Sequence, residues 1–269
     1  MTAPVFVMTP QTLEPTGAAA QAVAGDRLTL SGPEARHAVS VRRLRPGERV
    51  DLVDGEGLRL VCEVLEAGTD RRDRLTVRVV ERVVEPGEGL RLALVQALAK
   101  GDRDSQAVET ATEVGVGLVL PWQAERCVSV WRGPKAAKGR ERWQATAVQA
   151  AKQARRARVP QVAEPVGTPA LVDWTREVVQ AGGLVLVLHE ESDRPISQVP
   201  LPAAERRQGE QAPVLAVVVG PEGGISEAET AGLEAAGAVT VRLGPHVMRT
   251  SSAGPTALAV LAQRAGLWG

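Results

Sequence analysis

The sequence predicts an α/β protein in which a small, mostly β amino-terminal domain precedes a larger domain built on a parallel sheet. Strand patterns dominate up to about Val84, and a proline- and glycine-rich stretch, Glu85–Gly89, then interrupts them. Beyond it strands and helices alternate, and apolar runs such as Val214–Val219 are typical of central parallel strands. We therefore divide the chain into domains 1–86 and 87–269.

The first domain contains one predicted helix and three predicted strands. Ser31 and Glu34 have the spacing of a capping box, so we expect a helix between Ser31 and Leu44. The turn Asp54–Gly57 lies between two apolar runs and indicates a hairpin. The predicted strands are Glu48–Val53, Leu58–Leu65 and Arg74–Val84.

The second domain is predicted to alternate five strands with five helices. The strands are Leu90–Leu98, Gly117–Trp122, Leu184–His189, Val214–Val219 and Val239–Leu243. The helices are Arg103–Val114, Lys138–Ala157, Pro169–Gln180, Ser226–Ala236 and Ser252–Arg264. Ser226 and Glu229 form a second capping-box pattern, Ser252 is the expected cap of the last helix, and Ser192–Pro213 is expected to be a surface loop.

Composition excludes several classes of protein. Hydrophobic residues make up 44% and charged residues 24%, as in an ordinary soluble globular protein, and the apolar runs are too short to span a bilayer. The first residues show no secretory signal, so we expect a cytoplasmic protein. Cys62 and Cys127 are far apart and there are three histidines, so neither a disulfide framework nor a metal site is expected.

Two glycine-rich bends follow predicted strands of the second domain, one at Gly220–Gly224 and one beginning at Gly244. Ligands of open α/β sheets bind beyond the carboxyl ends of the strands, and glycine lets the backbone approach them closely. A single bend could be only a tight turn, but two together favour a pocket for a nucleotide-like cofactor. No Gly-Lys-Ser/Thr sequence is present, so ATP or GTP chemistry would lack its lysine, and the absence of a GxGxxG pattern weakens a nicotinamide interpretation.

The charge distribution is uneven although the net charge is zero. Ten lysines and arginines but a single acid, Glu141, lie in Arg126–Arg158. This excess indicates either contact with phosphates or a solvated helix face. Trp131, in a predicted loop of the segment, is expected to contact RNA, whereas Trp143, on the predicted helix, is expected to lie in the core.

Several short motifs follow one another along the chain. They are Lys100-Gly101-Asp102, Glu113–Val116, Glu125–Val128, Arg142-Trp143, Ala151–Arg156 before Val159-Pro160, Gly220–Gly224, and Leu243–Thr250. Together they resemble the small-subunit (16S) rRNA uridine-N3 methyltransferases, S-adenosylmethionine enzymes of the SPOUT superfamily. The pattern His37, Val41–Leu44 and Gly47 resembles the PUA-like RNA-binding β-barrel of that family.

The resemblance implies a fold and partners. It implies a C-terminal SPOUT domain with a trefoil knot, whose loops follow Leu188, Val219 and Leu243. It also implies a homodimer that acts on 16S rRNA within the 30S subunit. The resemblance and the basic segment together give the expected RNA-binding residues. These are Arg36, Arg42, Arg43, Arg45, Arg126, Arg142, Arg155 and Arg156.

The resemblance also implies a cofactor site. Its residues are Leu188, His189, Glu190, Val219, Gly220, Pro221, Glu222, Gly223, Leu243, Gly244, Val247, Met248 and Thr250.

Methylation of uracil N3 displaces a proton, and a cation near O2 or O4 offsets the negative charge that develops. Arg249 matches the family arginine and is the first catalytic candidate, although a structural salt bridge is an alternative role for it. Arg126 is the second candidate, either for charge at the base or for RNA phosphate. Glu222 is the third, since it could position the base or the cofactor, or equally brace the loop.

Two positions depart from the family pattern. Ser251 stands where the family has glutamate, and His246 stands where arginine is common. Two further functions stay open. An RNA-binding ribosome-assembly protein with impaired catalysis is supported only by the Ser251 departure, whereas the predicted barrel and Arg142-Trp143 speak against a SPOUT ribose 2'-O-methyltransferase.

Overall fold

The computed structural model describes residues 3–68, 73–87, 89–202 and 212–268. The chain divides into two compact units. The first comprises Met1–Gly87 and Ala151–Val159, and the second comprises Glu88–Ala150 and Pro160–Gly269. The short stretch Ala151–Val159 thus belongs with the amino-terminal unit, which a division of the chain at one position does not anticipate.

The first unit is built on a sheet of six described strands. They are β1 (Val5–Val7), β2 (Leu13–Glu14), β3 (Arg27–Ser31), β4 (Arg49–Val53), β5 (Leu58–Ala67) and β6 (Arg74–Val84), in the order β1-β4-β5-β6-β3-β2. The predicted hairpin joins β4 to β5, and Val53 pairs with Arg59 across it. In β5 alternate residues from Leu58 to Val64 are buried, as expected for a strand with one face on a core.

The predicted helix between Ser31 and Leu44 is wrong in its start and its cap. Ser31 is the last residue of β3, and its hydroxyl donates to the carbonyl of Thr12 at 3.1 Å. The helix α1 (Pro33–Arg36) begins after Gly32, whose φ of 80° suits glycine, and a π-helical turn follows it. Glu34 is not part of a capping box, because its carboxylate accepts from the amide of Val7 at 3.0 Å.

The second unit contains a parallel sheet, as the sequence predicts. Its described strands are β7 (Arg91–Ala97), β8 (Leu118–Gln123), β9 (Gln161–Val162), β10 (Val166–Gly167), β11 (Leu184–Leu188), β12 (Val214–Val219) and β13 (Val239–Val241). The order is β10-β8-β7-β12-β11-β13, with β9 also beside β8, and every pair is parallel. The helices are α2 (Arg103–Val114), α3 (Pro134–Gln153), α4 (Thr168–Gln180), α5 (Glu227–Ala235) and α6 (Thr250–Arg264).

The strand β13 lies between β11 and the segment that follows β11. Leu188 pairs with Val241 on one side. On the other side the amide of Arg242 donates to the carbonyl of Arg194 at 2.8 Å, and the amide of Ile196 donates to the carbonyl of Arg242 at 2.9 Å. The segment around residues 194–196, which comes directly after β11, therefore lies one strand position away from β11. The strand β13, which comes later in the chain, fills the position between them.

Several predicted boundaries differ from the structure. Ser252 lies inside α6, whose N-cap is Arg249, so it does not cap that helix. The predicted surface loop Ser192–Pro213 is partly wrong, because Ile196 and Val199 are buried in the core. Residues 203–211 of that loop lie outside the described residues.

Trp131 and Trp143 both contribute to the core of the second unit. Trp143 is fully buried, as predicted. RNA contact for Trp131 stays a prediction, but its side chain also packs within the protein. Its ring is half-buried and lies edge-to-face on Trp143, with centroids 5.1 Å apart. A side chain at Gly139 would lie 2.5 Å from the Trp131 ring, so Trp131 packs directly on the backbone of α3.

Candidate active site

The carboxyl ends of three adjacent strands form the centre of the candidate site. Leu188 pairs with Val241, and Val187 pairs with Val218, so β11, β12 and β13 end side by side. Neighbouring strands of a sheet are about 4.8 Å apart. The three predicted cofactor-binding segments follow Leu188, Val219 and Leu243, and because β13 ends at Val241 they all leave the same edge of the sheet.

Thr250 ties the second bend to the first. Its hydroxyl donates to the carbonyl of Gly220 at 3.0 Å and accepts from the side-chain amide of Gln96 at 2.8 Å. Gln96 is fully buried in the central strand β7. The sequence interpretation missed Gln96, and its only signal was an amide inside an otherwise apolar strand. Thr250 is a predicted cofactor-binding residue, and its hydroxyl is already engaged within the protein.

The glycines of the two bends differ in the space around them. A Cβ at Gly220 would lie 2.7 Å from Cγ1 of Ile225, so this glycine permits the loop to fold on itself. At Gly244 a Cβ would meet nothing within 4 Å. Open space therefore adjoins the second bend, where Val247 is 77% and Met248 39% exposed.

Glu222 is held by the loop that follows β7. Its Oε1 accepts from the Arg103 guanidinium at 2.8 Å and from the Lys100 amide at 3.2 Å. Burial acts to raise the pKa of Glu222, but hydrogen bonds from its own amide, Arg103 and Lys100 outweigh it and lower that pKa. These contacts support the role in which Glu222 braces the loop. Its role in positioning the base or the cofactor stays a prediction.

Two exposed arginines flank the glycine-rich loop. Arg126 follows β8, and its Nη1 donates to the carbonyl of Gly223 at 3.1 Å. Arg249 directly precedes Thr250, which binds the carbonyl of Gly220. Within the described part of the chain Arg249 forms no ion pair, so the salt bridge considered for it is not present there. The structure thus leaves its guanidinium available at the edge of the site.

The predicted RNA-binding arginines occupy different environments. In the first unit Arg36, Arg42, Arg43, Arg45 and Arg155 are exposed, and Arg156 is half-buried. In the second unit Arg142 lies 3.4 Å from the buried carboxylate of Asp104. Burial raises the pKa of Asp104, an effect that the Ser105 amide and Arg142 only partly offset.

Part of the basic segment is used within the protein. In the first unit the Lys152 ammonium is buried, lies 2.7 Å from Glu34 and stands 5.6 Å from the centre of the Phe6 ring. Arg158 donates to the backbone carbonyl of Glu85 at 3.1 Å. The charge count of the segment therefore overstates the charge that remains for RNA phosphates.

The described residues contain two free cysteines and no cluster of metal ligands. No group of three or more histidine, cysteine or acidic side chains among them could hold a metal ion. The same residues include no helix long and apolar enough to cross a membrane. Cys62 and Cys127 are free thiols, and burial, followed by the charge of Asp51, raises the pKa of Cys62 to about 12.

Comparison with known proteins gives the family of each part of the chain. Residues 86–262 match the model of an RNA methyltransferase domain, and residues 30–71 match that of an RNA methyltransferase PUA domain. These matches confirm the family that the motifs indicated and the PUA-like character of the amino-terminal region.

Curated relatives carry a common name. The ribosomal RNA small subunit methyltransferase E of Mycobacterium bovis is 46% identical over 96% of this chain and 91% of its own length. The protein of the same name from Bacillus subtilis is 30% identical over 89% of this chain and 91% of its own. A methyltransferase structure from Legionella pneumophila, in complex with the bound cofactor SAM, is 26% identical, with a TM-score of 0.78 over 98% of both chains.

Proposed function

The chain belongs to the RNA methyltransferase family, and we propose that it transfers the methyl group of S-adenosylmethionine to N3 of a uridine in small-subunit (16S) rRNA. The observation that carries this proposal is the meeting of three loops at one sheet edge, with open space at Gly244. The name of the Mycobacterium relative, at 46% identity over nearly the whole chain, supports the rRNA substrate.

The donor fits the chemistry of this edge. S-adenosylmethionine carries an adenine, a ribose and an amino acid, which backbone groups in glycine-rich bends can recognise without a lysine for phosphate. We assign its binding to Leu188–Glu190, Val219–Gly223, Leu243-Gly244 and Val247-Met248. Thr250 contributes indirectly, because its hydroxyl fixes Gly220. When bound, the donor supplies an electrophilic methyl group on a sulfonium.

The arginines beside the site offset negative charge that develops on the uracil. N3 carries a proton in neutral uracil, and this proton must pass to water or another base for N3 to attack the methyl group. Its loss places negative charge on N3, O2 and O4, and that charge disappears when the N3–methyl bond forms. Arg249 lies exposed beside the second bend and offsets that charge, while Arg126 binds the adjoining phosphate or assists at the base. Exposed arginines of the first unit, among them Arg36 and Arg42, contact RNA phosphates.

The finer fold and assembly belong to the same proposal. The passage of β13 between β11 and the segment 192–196 supports a SPOUT trefoil knot. Exposed Val247 and Met248 beside the second bend are compatible with coverage by a second copy in a homodimer. We propose that the enzyme acts in the cytoplasm on rRNA within the 30S subunit.

Nucleoside mass spectrometry of rRNA from cells with and without the protein tests the function. The proposal expects 3-methyluridine in 16S rRNA that disappears when the protein is removed. A lost ribose methyl would instead support a 2'-O-methyltransferase. No lost methyl group, combined with donor binding by the pure protein, would support an assembly factor in which Ser251 has impaired catalysis.

A further inference from the structure

Glu229 is an acid buried behind the glycine-rich loop. Its side chain is in the first turn of α5, and the residue is only 5% exposed. The carboxylate Oε2 accepts from the Ser226 amide at 3.1 Å, and the Glu229 amide donates back to the Ser226 hydroxyl at 3.3 Å. These bonds form the capping box that the sequence predicts.

The second carboxylate oxygen has a different set of partners. Oε1 accepts from the backbone amide of Glu125 at 2.8 Å and from the Thr168 hydroxyl at 2.7 Å. Thr168 in turn accepts from the indole of the buried Trp122 at 3.2 Å. One carboxylate therefore joins the start of α5 to the end of β8, over a sequence separation of 104 residues.

The residue after Glu125 is Arg126, which packs on the glycine-rich loop. A Cβ at Gly223 would lie 3.1 Å from Cβ of Arg126, so the two backbones approach closely there. We call residues 124–126 the Arg126 segment. Its position depends on the amide of Glu125, because that amide anchors the residue next to Arg126 to a buried charge.

We propose that Glu229 is a positioning residue that holds the Arg126 segment against the glycine-rich loop and thereby places Arg126 for the reaction. This inference rests on the proposed function, because Arg126 has a reaction to serve only if the chain methylates RNA. A helix cap alone would need only Oε2 and Ser226. The additional bonds from Glu125 and Thr168 extend the carboxylate's effect to a second loop.

Cys127 provides a probe of the segment that needs no catalysis. The thiol is half-buried directly after Arg126, whereas Cys62 is fully buried in the first unit and serves as an internal reference. Burial, and also the charge of Glu229, raises the pKa of Cys127, so the alkylation rate is measured across pH and expressed per thiolate. We expect Glu229→Gln in the full chain to raise this thiolate rate for N-ethylmaleimide roughly tenfold, because a charge-assisted bond to the Glu125 amide is weakened. Cys62 should stay unreactive.

Two matched variants separate positioning from capping. Glu227→Gln removes the same charge from the same turn of α5 at an exposed position and should leave Cys127 unchanged. Ser226→Ala removes the cap hydroxyl but keeps the Glu125 contact, so it should lower the melting temperature with little effect on Cys127. If Glu229→Gln does not fold, Thr168→Val removes one donor to Oε1 and should raise the Cys127 rate by a smaller factor.

Methyl transfer to 30S subunits completes the test. Glu229→Gln should lower kcat by about tenfold or more in the native background and far less in an Arg126→Ala background. An unchanged Cys127 rate would overturn the inference, and so would an equal loss of kcat in both backgrounds. If Cys127 reacts faster but the native protein transfers no methyl group at all, the proposed function fails while the structural link through Glu229 stands.

Discussion

Arg249 is the residue on which the proposed chemistry depends most. It is exposed beside the second bend and has no ion pair in the described structure, so its charge is available to the uracil. Arg249→Ala should lower kcat by about 100- to 1,000-fold, the cost of losing one group that stabilises developing negative charge. The Kd for S-adenosylmethionine, measured by calorimetry, should change little.

Arg249→Lys is the matched variant, because it keeps the charge but loses the planar guanidinium. It should recover part of the lost kcat. Undiminished turnover in Arg249→Ala would remove this residue from its assigned role.

Substitutions at Gly244 test whether the donor binds at the second bend. A side chain at Gly220 would collide with Ile225 and distort the loop, whereas one at Gly244 would enter open space. We therefore expect the series Gly244→Ala and Gly244→Val to weaken donor binding progressively, by about tenfold or more for valine. The melting temperature without donor should stay near that of the native protein. Normal donor affinity in Gly244→Val would contradict our placement of the pocket.

At the scale of elements, local signals predict local structure. The pattern of Ser226 and Glu229 predicts a capping box, and the box is present because both residues lie in one helical turn. The similar pattern at Ser31 and Glu34 misled, since distant residues, Thr12 and Val7, take their side chains instead. RNA contact is predicted for Trp131 because it lies in a predicted loop. Its packing on Trp143, twelve residues away on α3, is not visible from spacing alone.

The first turn of α5 gives a pH dependence with a definite sign. Burial acts to raise the pKa of Glu229, but bonds from Thr168, Glu125 and Ser226 outweigh it, so the pKa lies below its ordinary value of 4.5. The ionised carboxylate thus stabilises the folded state fully above pH 4.5, and this contribution is lost as the pH falls through the lowered pKa.

Urea unfolding of the native protein and Glu229→Gln checks this expectation. The difference in free energy of unfolding between the two should be largest near neutral pH and should shrink below the ordinary pKa. Asp104 acts in the opposite direction, because its raised pKa favours the folded state at low pH and this contribution is lost as the pH rises through that pKa. A constant difference from neutral to acid pH would show that the charge of Glu229 does not matter.

At the scale of the whole molecule, contacts between distant segments are what the sequence could not supply. The parallel sheet was predictable from apolar runs, but its order places β7 beside β12 and lets Gln96 reach Thr250, 154 residues away. The sequence also does not predict that Ala151–Val159 belongs to the first unit, because a basic segment resembles a solvated surface. The division into domains 1–86 and 87–269, taken as functional modules, stays a prediction.

Lys152 tests the role of this returning segment. Lys152→Ala removes the cation that faces Glu34 and leaves its partly buried carboxylate with the Val7 amide alone, which should lower the free energy of unfolding by about 3 kcal/mol. Lys138→Ala, at an exposed position of the same helix, should change it by less than about 0.5 kcal/mol. Equal stability of the two variants would show that the buried pair contributes nothing.

A crystal structure of the protein with S-adenosylmethionine tests the central claim most directly. The account predicts the donor between the loops that follow Leu188, Val219 and Leu243, with its sulfonium methyl facing the side where Arg249 is exposed. A donor bound elsewhere, or the same loops closed by their own side chains when the donor is saturating, would contradict it.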